Sequence, residues 1–506
     1  MSLMGIDVGT SGCKAVAFNE DGEVLSIGYQ EYFLLHRKPG WSELDASIVL
    51  EKIKKVIKDV AENTRNDPVE AFAVSCQGEA VMPINKHGEL LYNAVITFDS
   101  RTQEQYEWWL QNHDPRKIFN ITGMPLNPMY SLNKIMWFKK HEPDIYNEAW
   151  KFPCFEDFVL FSLCQDAAID YSLAARTMAF DVINKCWSEE MINAADISPD
   201  VFFPVIPSGQ VVGRIRPEVA RELGLNKSVV GVTGGHDQPC GALGAGIISE
   251  GFAMNATGTS DVITPAFRKP ILSDAMLKNN FPCYPHVVPD IYITITFNLT
   301  GGLLLKWYRD TFAYEEREIA RSEGRDVYDV IIERADKKPV NVFILPHFVG
   351  SGTPYLDSKS RGVVVGLTLE TNKNTIAKAV LDSNCYDLRL NLERLAEVGI
   401  QVNRIRVIGG GAKSEYWMRL KSEILGLPVE SLHTNEAASL GDAILAGVAI
   451  GKYADCSEGV KRSVRVKQEI VPNFENKKEF DERFEIYKTI YDSTAEISHK
   501  IFELNK

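Results

Sequence analysis

The sequence predicts an α/β protein of two domains, each with a mixed sheet that begins as an antiparallel meander. The first observation is length, because 506 residues exceed the size at which a single hydrophobic core stops growing. The second is a repeated pattern, since residues 5–18 and 251–263 both give a strand, a Gly-Thr-Ser turn and another strand. We expect the first domain over residues 1–246 and the second over residues 247–506.

The composition is that of an ordinary globular protein, with 45% apolar and 24% charged residues. Lys and Arg number 55 against 68 acidic residues, and the net charge of -13 argues against nucleic acid or an anionic membrane as partner. No apolar run reaches the roughly 18 residues that a membrane span needs. The 9 cysteines lack regular spacing. The segment that precedes the first predicted strand is too short for a signal peptide. We therefore expect a cytoplasmic chain with reduced thiols.

The first meander carries a candidate phosphate site. Gly5–Phe18 is predicted to form strand, turn and strand, and a second turn follows at residues 19–22. The turn at Thr10 and Ser11 can offer backbone N–H groups and two hydroxyls to a phosphate. Asp7, in the strand before it, is a candidate carboxylate for holding a hydrated Mg²⁺. An ordinary glycine-rich hairpin is the alternative, and the Walker-loop pattern is absent.

Polar residues follow two predicted strands in the first half of the chain. Ala71–Ser75 is followed by Gln77 and Glu79, and Ala94–Phe98 is followed by Asp99. Ligands of α/β sheets bind in the crevice outside the carboxyl ends of the strands. These side chains are therefore predicted to line one substrate crevice. Polar residues after a strand are also common turn formers, which is the alternative.

The stretch Gly231–Gly246 carries the candidate catalytic base. An apolar run, Ser228–Val230, predicts the end of a strand, and Pro239 predicts the first turn of a helix. Asp237, with Gln238 beside it, then lies at the junction, where the surrounding glycines let a substrate approach the backbone. We interpret Asp237 as a general base that, with an ordinary pKa of about 4, is ionised at neutral pH. The alternative is a helix cap, because Asp is among the favoured N-cap residues.

The second half repeats the theme of a glycine turn beside a strand. Gly409–Ser414 leads into the predicted helix Glu415–Leu425, and a glycine turn that opens a helix is a ready site for an anion or nucleotide. The small-residue helix Ala437–Gly447 is predicted to pack beneath an adenine pocket. Near the C-terminus, a helical stripe of aromatic residues is interpreted as a docking face: Phe480, Phe484, Tyr487 and Tyr491.

Two further stretches carry a resemblance to a known family. Residues 129–138, which include Lys134 and Trp137, resemble the first signature of the FGGY family of carbohydrate kinases. Residues 362–382 resemble the second signature, with Thr375 in place of the usual His, amide or acidic residue. Together with the two Gly-Thr-Ser turns, the similarity spans nearly the whole chain.

The resemblance implies two ribonuclease-H-like domains of the actin-like ATPase type, with ATP, Mg²⁺ and substrate in the cleft between them. It implies that Asp237 is the base and that Asp7 serves the metal. The predicted nucleotide contacts are Thr10, Ser11, Lys14, Thr259, Gly302, Gly410, Gly411 and Glu415. The predicted substrate contacts are Gln77, Glu79, Asp99, Asp237 and Gln238.

The sequence matches two substrate patterns within that family and does not decide between them. Gln77 and Glu79 match glycerol kinases better than the Met-His-Gly that is usual in xylulokinases. Met129, however, falls where glycerol kinases carry an aromatic residue, and residues 408–417 are close to the xylulokinase form. We expect phosphorylation of a pentulose such as xylulose. The alternatives are a kinase for glycerol, another polyol or a sugar acid, and a non-catalytic sensor of sugar and ATP. The oligomeric state is open, with a homodimer as one option.

Overall fold

A computed structural model of the chain describes residues 1–504, which form a mixed α/β structure built on two large sheets. The strands before residue 246 are β1 Ser2–Val8, β2 Gly12–Phe18, β3 Val24–Glu31, β4 Glu43–Leu44, β5 Val69–Cys76, β6 Ala94–Val95, β7 Ile169–Asp170, β8 Phe180–Asp181, β9 Cys186–Trp187, β10 Val205–Ile206, β11 Val211–Arg214 and β12 Val230–His236. The helices of that part are α1 Ala46–Asn63, α2 Gln103–Asn112, α3 Pro115–Thr122, α4 Ser131–His141, α5 Pro143–Glu148, α6 Phe155–Cys164, α7 Tyr171–Ala175, α8 Glu189–Ala194, α9 Pro217–Leu223 and α10 Asp237–Gly244.

The later part of the chain is built in the same style. Its strands are β13 Gly251–Thr257, β14 Asp261–Phe267, β15 Tyr284–Pro285, β16 Tyr292–Ile293, β17 Thr296–Asn298, β18 Phe343–Leu345, β19 Val363–Val365, β20 Val402–Gly409, β21 Val429–Leu432 and β22 Val466–Ile470. Its helices are α11 Asp274–Lys278, α12 Gly301–Thr311, α13 Tyr314–Glu323, α14 Val327–Arg334, α15 Lys373–Glu397, α16 Glu415–Leu425, α17 Ala437–Ala449, α18 Cys456–Ser463 and α19 Lys477–Leu504.

The two large sheets share one plan. The first has the order β11-β12-β5-β1-β2-β3, and the second has the order β15-β16-β14-β13-β20-β21-β22, with β17 paired to β14. In the first sheet the meander β1-β2-β3 continues through parallel pairs of β1 with β5 and of β5 with β12. In the second sheet β13 likewise pairs antiparallel with β14 and parallel with β20. The predicted pair of α/β domains, each opening on a meander, is confirmed.

The boundary at residue 246 stays a prediction, because helix α17 of the second half packs on the first sheet. A Cβ atom added to Gly5 of β1 would lie 1.9 Å from the carbonyl oxygen of Ser439. The prediction that this helix underlies an adenine pocket stays a prediction. Its small residues let α17 approach the backbone of β1 and of α10, while its N-terminal end reaches the cleft.

One correction concerns the strand predicted over residues 94–98. The strand is only β6, and it pairs with β4 in a separate two-stranded ribbon. Thr97 leaves the ribbon because its hydroxyl donates a hydrogen bond to the carbonyl of Gly78, 2.7 Å away. Asp99 therefore follows the ribbon and not a strand of the large sheet.

The aromatic stripe of α19 is a docking face, as predicted. Phe480, Phe484 and Tyr487 are buried against the core of the second half, and Tyr491 stacks on Tyr355 with ring centroids 3.8 Å apart. Within residues 1–504, no helix is long and apolar enough to cross a membrane. The cysteines are free thiols.

Candidate active site

Three parallel strands of the first sheet end at the same level. Asp7 of β1 is in register with Ser75 of β5, and Ser75 is in register with Gly235 of β12. The residues that follow these strands therefore emerge side by side, as expected at the carboxyl edge of a parallel sheet. The edge brings together the turn after β1, Gln77 after β5 and Asp237 after β12.

The turn after β1 is held by its own backbone and by Gln77. The N–H of Gly9 donates to the carbonyl of Gly12 at 3.0 Å, and this bond closes the turn around Thr10 and Ser11. The amide of Gln77 accepts from the Thr10 hydroxyl at 3.2 Å and donates to the Gly9 carbonyl at 3.3 Å. These bonds direct Gln77 to the turn, and its predicted contact with the substrate stays a prediction.

Asp7 lies beneath this turn as a buried carboxyl group. Its Oδ1 atom is buried and has no hydrogen-bond partner among the described residues. Burial raises the pKa of Asp7 to about 6, while Lys14 lowers it and Glu436 raises it. A buried carboxylate oxygen without a partner is the type of donor that Mg²⁺ prefers in proteins. The residues present therefore fit a hydrated magnesium ion at Asp7.

A cavity of about 230 Å³ opens between the two halves beside Asp7. Lys14 lines it from the first sheet and forms an ion pair with Glu436, which precedes α17. The cavity is completed by residues 256–258, 408–409 and 435–439. It therefore lies between the first Gly-Thr-Ser turn and the turn after β13, in the cleft where the resemblance implies ATP.

The turns of the second half converge on the far side of this cavity. The N–H of Gly302 donates to the carbonyl of Gly258 at 2.8 Å, next to Thr259. Gly411 packs on Thr257 so closely that an added Cβ atom would lie 2.7 Å from the Thr257 Cβ atom. The predicted nucleotide residues are thus brought to one place: Thr259, Gly302, Gly410 and Gly411. Glu415 begins α16 at the same end, exposed and paired with Arg419 at 2.9 Å.

Sequence reasoning missed the support beneath the second turn. Lys421 of α16 is fully buried, and its ammonium group donates to Asn255 Oδ1 at 2.5 Å and to Thr257 Oγ1 at 2.6 Å. The sequence does indicate that Lys421 is buried, because Trp417, Lys421 and Ile424 follow the spacing of one helix face. A lysine on such a face needs a polar partner.

The substrate side of the sheet edge is built around Glu79. This buried residue has a positive φ of 62°, a conformation that non-glycine residues adopt mainly under constraint. Its carboxylate forms an ion pair with Arg176, and its carbonyl accepts from the Lys134 ammonium at 2.7 Å. Arg176 also packs over the rings of Tyr130 and Tyr284, with distances of 5.4 and 5.5 Å to the ring centroids. Arg176 was not predicted, since a single Arg in a helical segment carries no spacing signal.

Asp99 is already engaged within the protein. Its carboxylate accepts from the backbone N–H of Ser42 at 2.6 Å and from Arg101 Nε at 2.8 Å. Arg101 in turn lies under the rings of Trp41 and Trp137, at 3.8 and 4.8 Å from the ring centroids. A contact of Asp99 with the substrate stays a prediction.

Asp237 is the first residue of α10, with its side chain 30% exposed at the sheet edge. The N-cap position belongs to His236, whose side chain makes no cap hydrogen bond, so Asp237 does not hold the N-cap position that the helix-cap alternative requires. Burial, with the nearby charges of Asp7 and Glu79, raises the pKa of Asp237 to about 8, against the lowering effects of the Gln238 backbone and Arg176. The predicted ordinary pKa is therefore wrong.

The two repeated sheets, with the cavity between them, form the actin-like ATPase fold that the resemblance implies. Family models for the N-terminal and C-terminal domains of the FGGY family of carbohydrate kinases match residues 2–244 and 253–450. The chain therefore belongs to the FGGY family, and it is a carbohydrate kinase.

Relatives of the chain agree with this assignment. A xylulose kinase of Staphylococcus epidermidis is 29% identical over 506 residues, which cover 98% of this chain and 97% of the relative. A glycerol kinase of Geobacillus is 29% identical over 471 residues, which cover 90% and 92% of the two chains. Among solved structures, a ligand-bound xylulose kinase of Lactobacillus acidophilus superposes with a TM-score of 0.90 at 22% identity, over 99% of each chain.

Proposed function

We propose that this kinase phosphorylates a hydroxyl of a pentulose such as xylulose, with ATP as the phosphate donor and Asp237 as general base. The observation that supports the base most directly is the position of Asp237. It lies at the sheet edge between the Glu79–Arg176 pair and the carboxylate of Asp7. The pentulose is supported by full-length similarity to a xylulose kinase.

The base acts on the attacking hydroxyl of the substrate. Phosphoryl transfer asks the protein mainly to position the reactants and neutralise charge, and a carboxylate accepts the proton of the nucleophile. Asp7 and Glu79 raise the proton affinity of Asp237, which favours proton transfer from a weakly acidic hydroxyl. Only the ionised form of Asp237 can accept that proton.

The two Gly-Thr-Ser turns hold the polyphosphate. Thr10, Ser11 and Thr259 supply hydroxyl and backbone N–H groups, and Lys14 supplies a positive charge. Gly302, Gly410, Gly411 and Glu415 extend the site toward the nucleoside on the side of the second sheet. When bound, Mg²⁺ neutralises phosphate charge, and Asp7 is the carboxylate that would hold its hydration shell.

The substrate pocket is polar on one side and apolar on the other. The carboxylate of Glu79 offers oxygen acceptors to sugar hydroxyls, while Met124 and Met129 lie against the guanidinium of Arg176. Gln238 follows the base directly, and its buried Oε1 atom has no hydrogen-bond partner within residues 1–504. Glycerol is the second candidate, because Glu79 matches the glycerol kinase pattern and a glycerol kinase is equally identical over a shorter span.

A substrate panel tests the proposal. ADP release is measured with xylulose, ribulose, glycerol, erythritol, fuculose and gluconate, and without any of them. We expect xylulose to give the highest kcat/KM and every other compound to give less. Fastest turnover with glycerol would establish the second candidate. ATP hydrolysis that no compound changes would indicate the sensor.

Asp7→Asn should raise the Mg²⁺ concentration that gives half-maximal activity by roughly 10-fold or more, because a group that orients the metal's hydration shell is lost. The measurement is the initial rate against free Mg²⁺ at a fixed concentration of ATP. Asp21→Asn is the matched control, since Asp21 lies in the same meander but is 64% exposed and pairs with Arg462. An unchanged Mg²⁺ dependence in Asp7→Asn would contradict the assigned role.

A further inference from the structure

His236 joins the proposed base to the second sheet of the protein. Its Nε2 atom lies 3.2 Å from Asp237 Oδ1, and its Nδ1 atom lies 3.1 Å from the hydroxyl of Tyr284. Tyr284 belongs to β15 of the second sheet and is fully buried, while His236 is 5% exposed. The backbone N–H of His236 is fixed as well, because it donates to the Ser172 hydroxyl at 3.0 Å. The imidazole is thus held from two sides.

The roles of these groups follow from their chemistry when Asp237 is ionised, which is the form that acts as base. Burial and the charge of Arg176 lower the pKa of His236 well below its usual range, so the ring is neutral and carries one N–H. An ionised carboxylate only accepts, so a hydrogen bond across the 3.2 Å contact needs the hydrogen on Nε2. Nδ1 is then an acceptor, and the hydroxyl of Tyr284 donates to it. The other charged and titratable groups around Asp237, His236 and Tyr284 are Asp7, Glu79, Tyr130 and Arg176.

We infer that His236 and Tyr284 are positioning residues that fix the Asp237 carboxylate through Oδ1, so that Oδ2 takes the proton of the substrate hydroxyl. The inference rests on the proposed role of Asp237 as base. Rotation of a carboxylate about its Cβ–Cγ bond is soft, and one donor at a fixed position removes that freedom. The donor also stabilises the ionised form of Asp237, which burial and its neighbours disfavour.

Tyr284 connects the environment of Asp237 to the second sheet of the protein. Tyr284 hydrogen-bonds to His236, which contacts Asp237, and Tyr284 is carried by the half of the protein that supplies Thr259 and Gly411 to the nucleotide side. A shift of one sheet relative to the other would therefore change the Tyr284–His236 bond. The orientation of Asp237 is thereby tied to the relative position of the two halves.

The test compares variants of the full-length kinase on the substrate that the wild type phosphorylates best. His236→Leu removes the Nε2 contact with Asp237 and the hydrogen bond with Tyr284, whereas His236→Gln keeps an N–H donor of similar reach to Nε2. We expect His236→Leu to lower kcat by roughly 10-fold to 100-fold, with His236→Gln recovering most of the loss. Tyr284→Phe should lower kcat by roughly 3-fold to 10-fold, with the KM for ATP unchanged in all three variants.

The pH profile separates positioning from a structural role. Loss of the donor raises the pKa of Asp237, so the acidic limb of kcat/KM should move to higher pH by roughly one unit in His236→Leu but not in His236→Gln. Tyr292→Phe is the matched control, because Tyr292 lies in the adjacent strand β16 and donates its hydroxyl to the Val182 carbonyl at 3.3 Å. That variant should keep the wild-type profile.

Two results would overturn the inference. One is a fall of kcat in His236→Leu with an unmoved acidic limb, and the other is a His236→Gln variant no better than His236→Leu. Failure of the proposed function would be seen in the substrate panel, because the wild type itself would then phosphorylate no compound of the panel.

Discussion

Asp237→Asn lowers kcat by at least ~10²-fold while the protein stays folded, because a positioned base contributes ~10² to 10⁴ in rate. Asn has the shape of Asp and keeps one oxygen as a hydrogen-bond acceptor, but it cannot take up a proton at neutral pH. Nucleotide binding should change little, since the phosphates are held by the two turns. The measurements are kcat on the best sugar and the affinity for ATP by calorimetry.

Asp274→Asn is the control for this variant. Asp274 is also the first residue of a helix, but its side chain is 93% exposed at the start of α11. Removal of its charge should leave kcat unchanged. If Asp237→Asn kept near-normal turnover and melted at a lower temperature, Asp237 would be a helix cap and not the base.

The raised pKa of Asp237 gives the variant a distinct stability profile. The folded-state pKa of about 8 lies above the ordinary value near 3.8, so the folded protein retains a proton that the unfolded chain releases. Stability from this group is present at low pH and is lost as pH rises toward 8. Asn carries no such proton, and we expect the melting temperature of Asp237→Asn to exceed that of the wild type at pH 8 but not at pH 4.

The fold was predictable because its signals are local and occur twice. The two Gly-Thr-Ser meanders, the strand before Asp237 and the helix Glu415–Leu425 are each fixed by residues near in sequence. The ribbon of β4 and β6 was not predictable. Its short strand is ended by a hydrogen bond from Thr97 to Gly78, a contact between separate segments.

The site was predictable in its residues and less so in its electrostatics. Asp7 and Asp237 stand out in the sequence because glycines surround them, but the pKa of each depends on burial and on the other carboxylates. Arg176 and Tyr284 escaped prediction for a related reason. They reach the site from distant segments, and nothing in their local sequence distinguishes them from core residues.

Gly441 of α17 lies at a close backbone contact between the two halves of the chain. A Cβ atom added there would lie 2.0 Å from the carbonyl oxygen of Cys240 in α10. The reverse contact is as tight, since a Cβ atom on Gly244 would lie 1.8 Å from the carbonyl oxygen of Ala437. The two helices touch through their backbones, so neither side can give way by moving a side chain.

Gly441→Ala is therefore a test in which two physical effects have opposite signs. Helix propensity alone predicts that Ala stabilises a helix interior by about 1 kcal/mol relative to Gly. We expect the overpacking to exceed this gain, with a net loss of about 2 kcal/mol and a fall in melting temperature of roughly 4–8 °C. Activity should fall too, because the N-terminal end of α17 lines the cavity beside Asp7.

Gly241→Ala, in the facing helix α10, is the matched control for Gly441→Ala. Its added Cβ atom would meet only the flexible side chain of Met254, with Sδ at 3.4 Å. Helix propensity should then dominate, and the melting temperature should stay level or rise. Thermal unfolding of both variants, followed by calorimetry, makes the comparison. Equal stabilisation by the two substitutions would show that α17 and α10 are free to separate, and the close contact at Gly441 would then have no role in holding the cleft together.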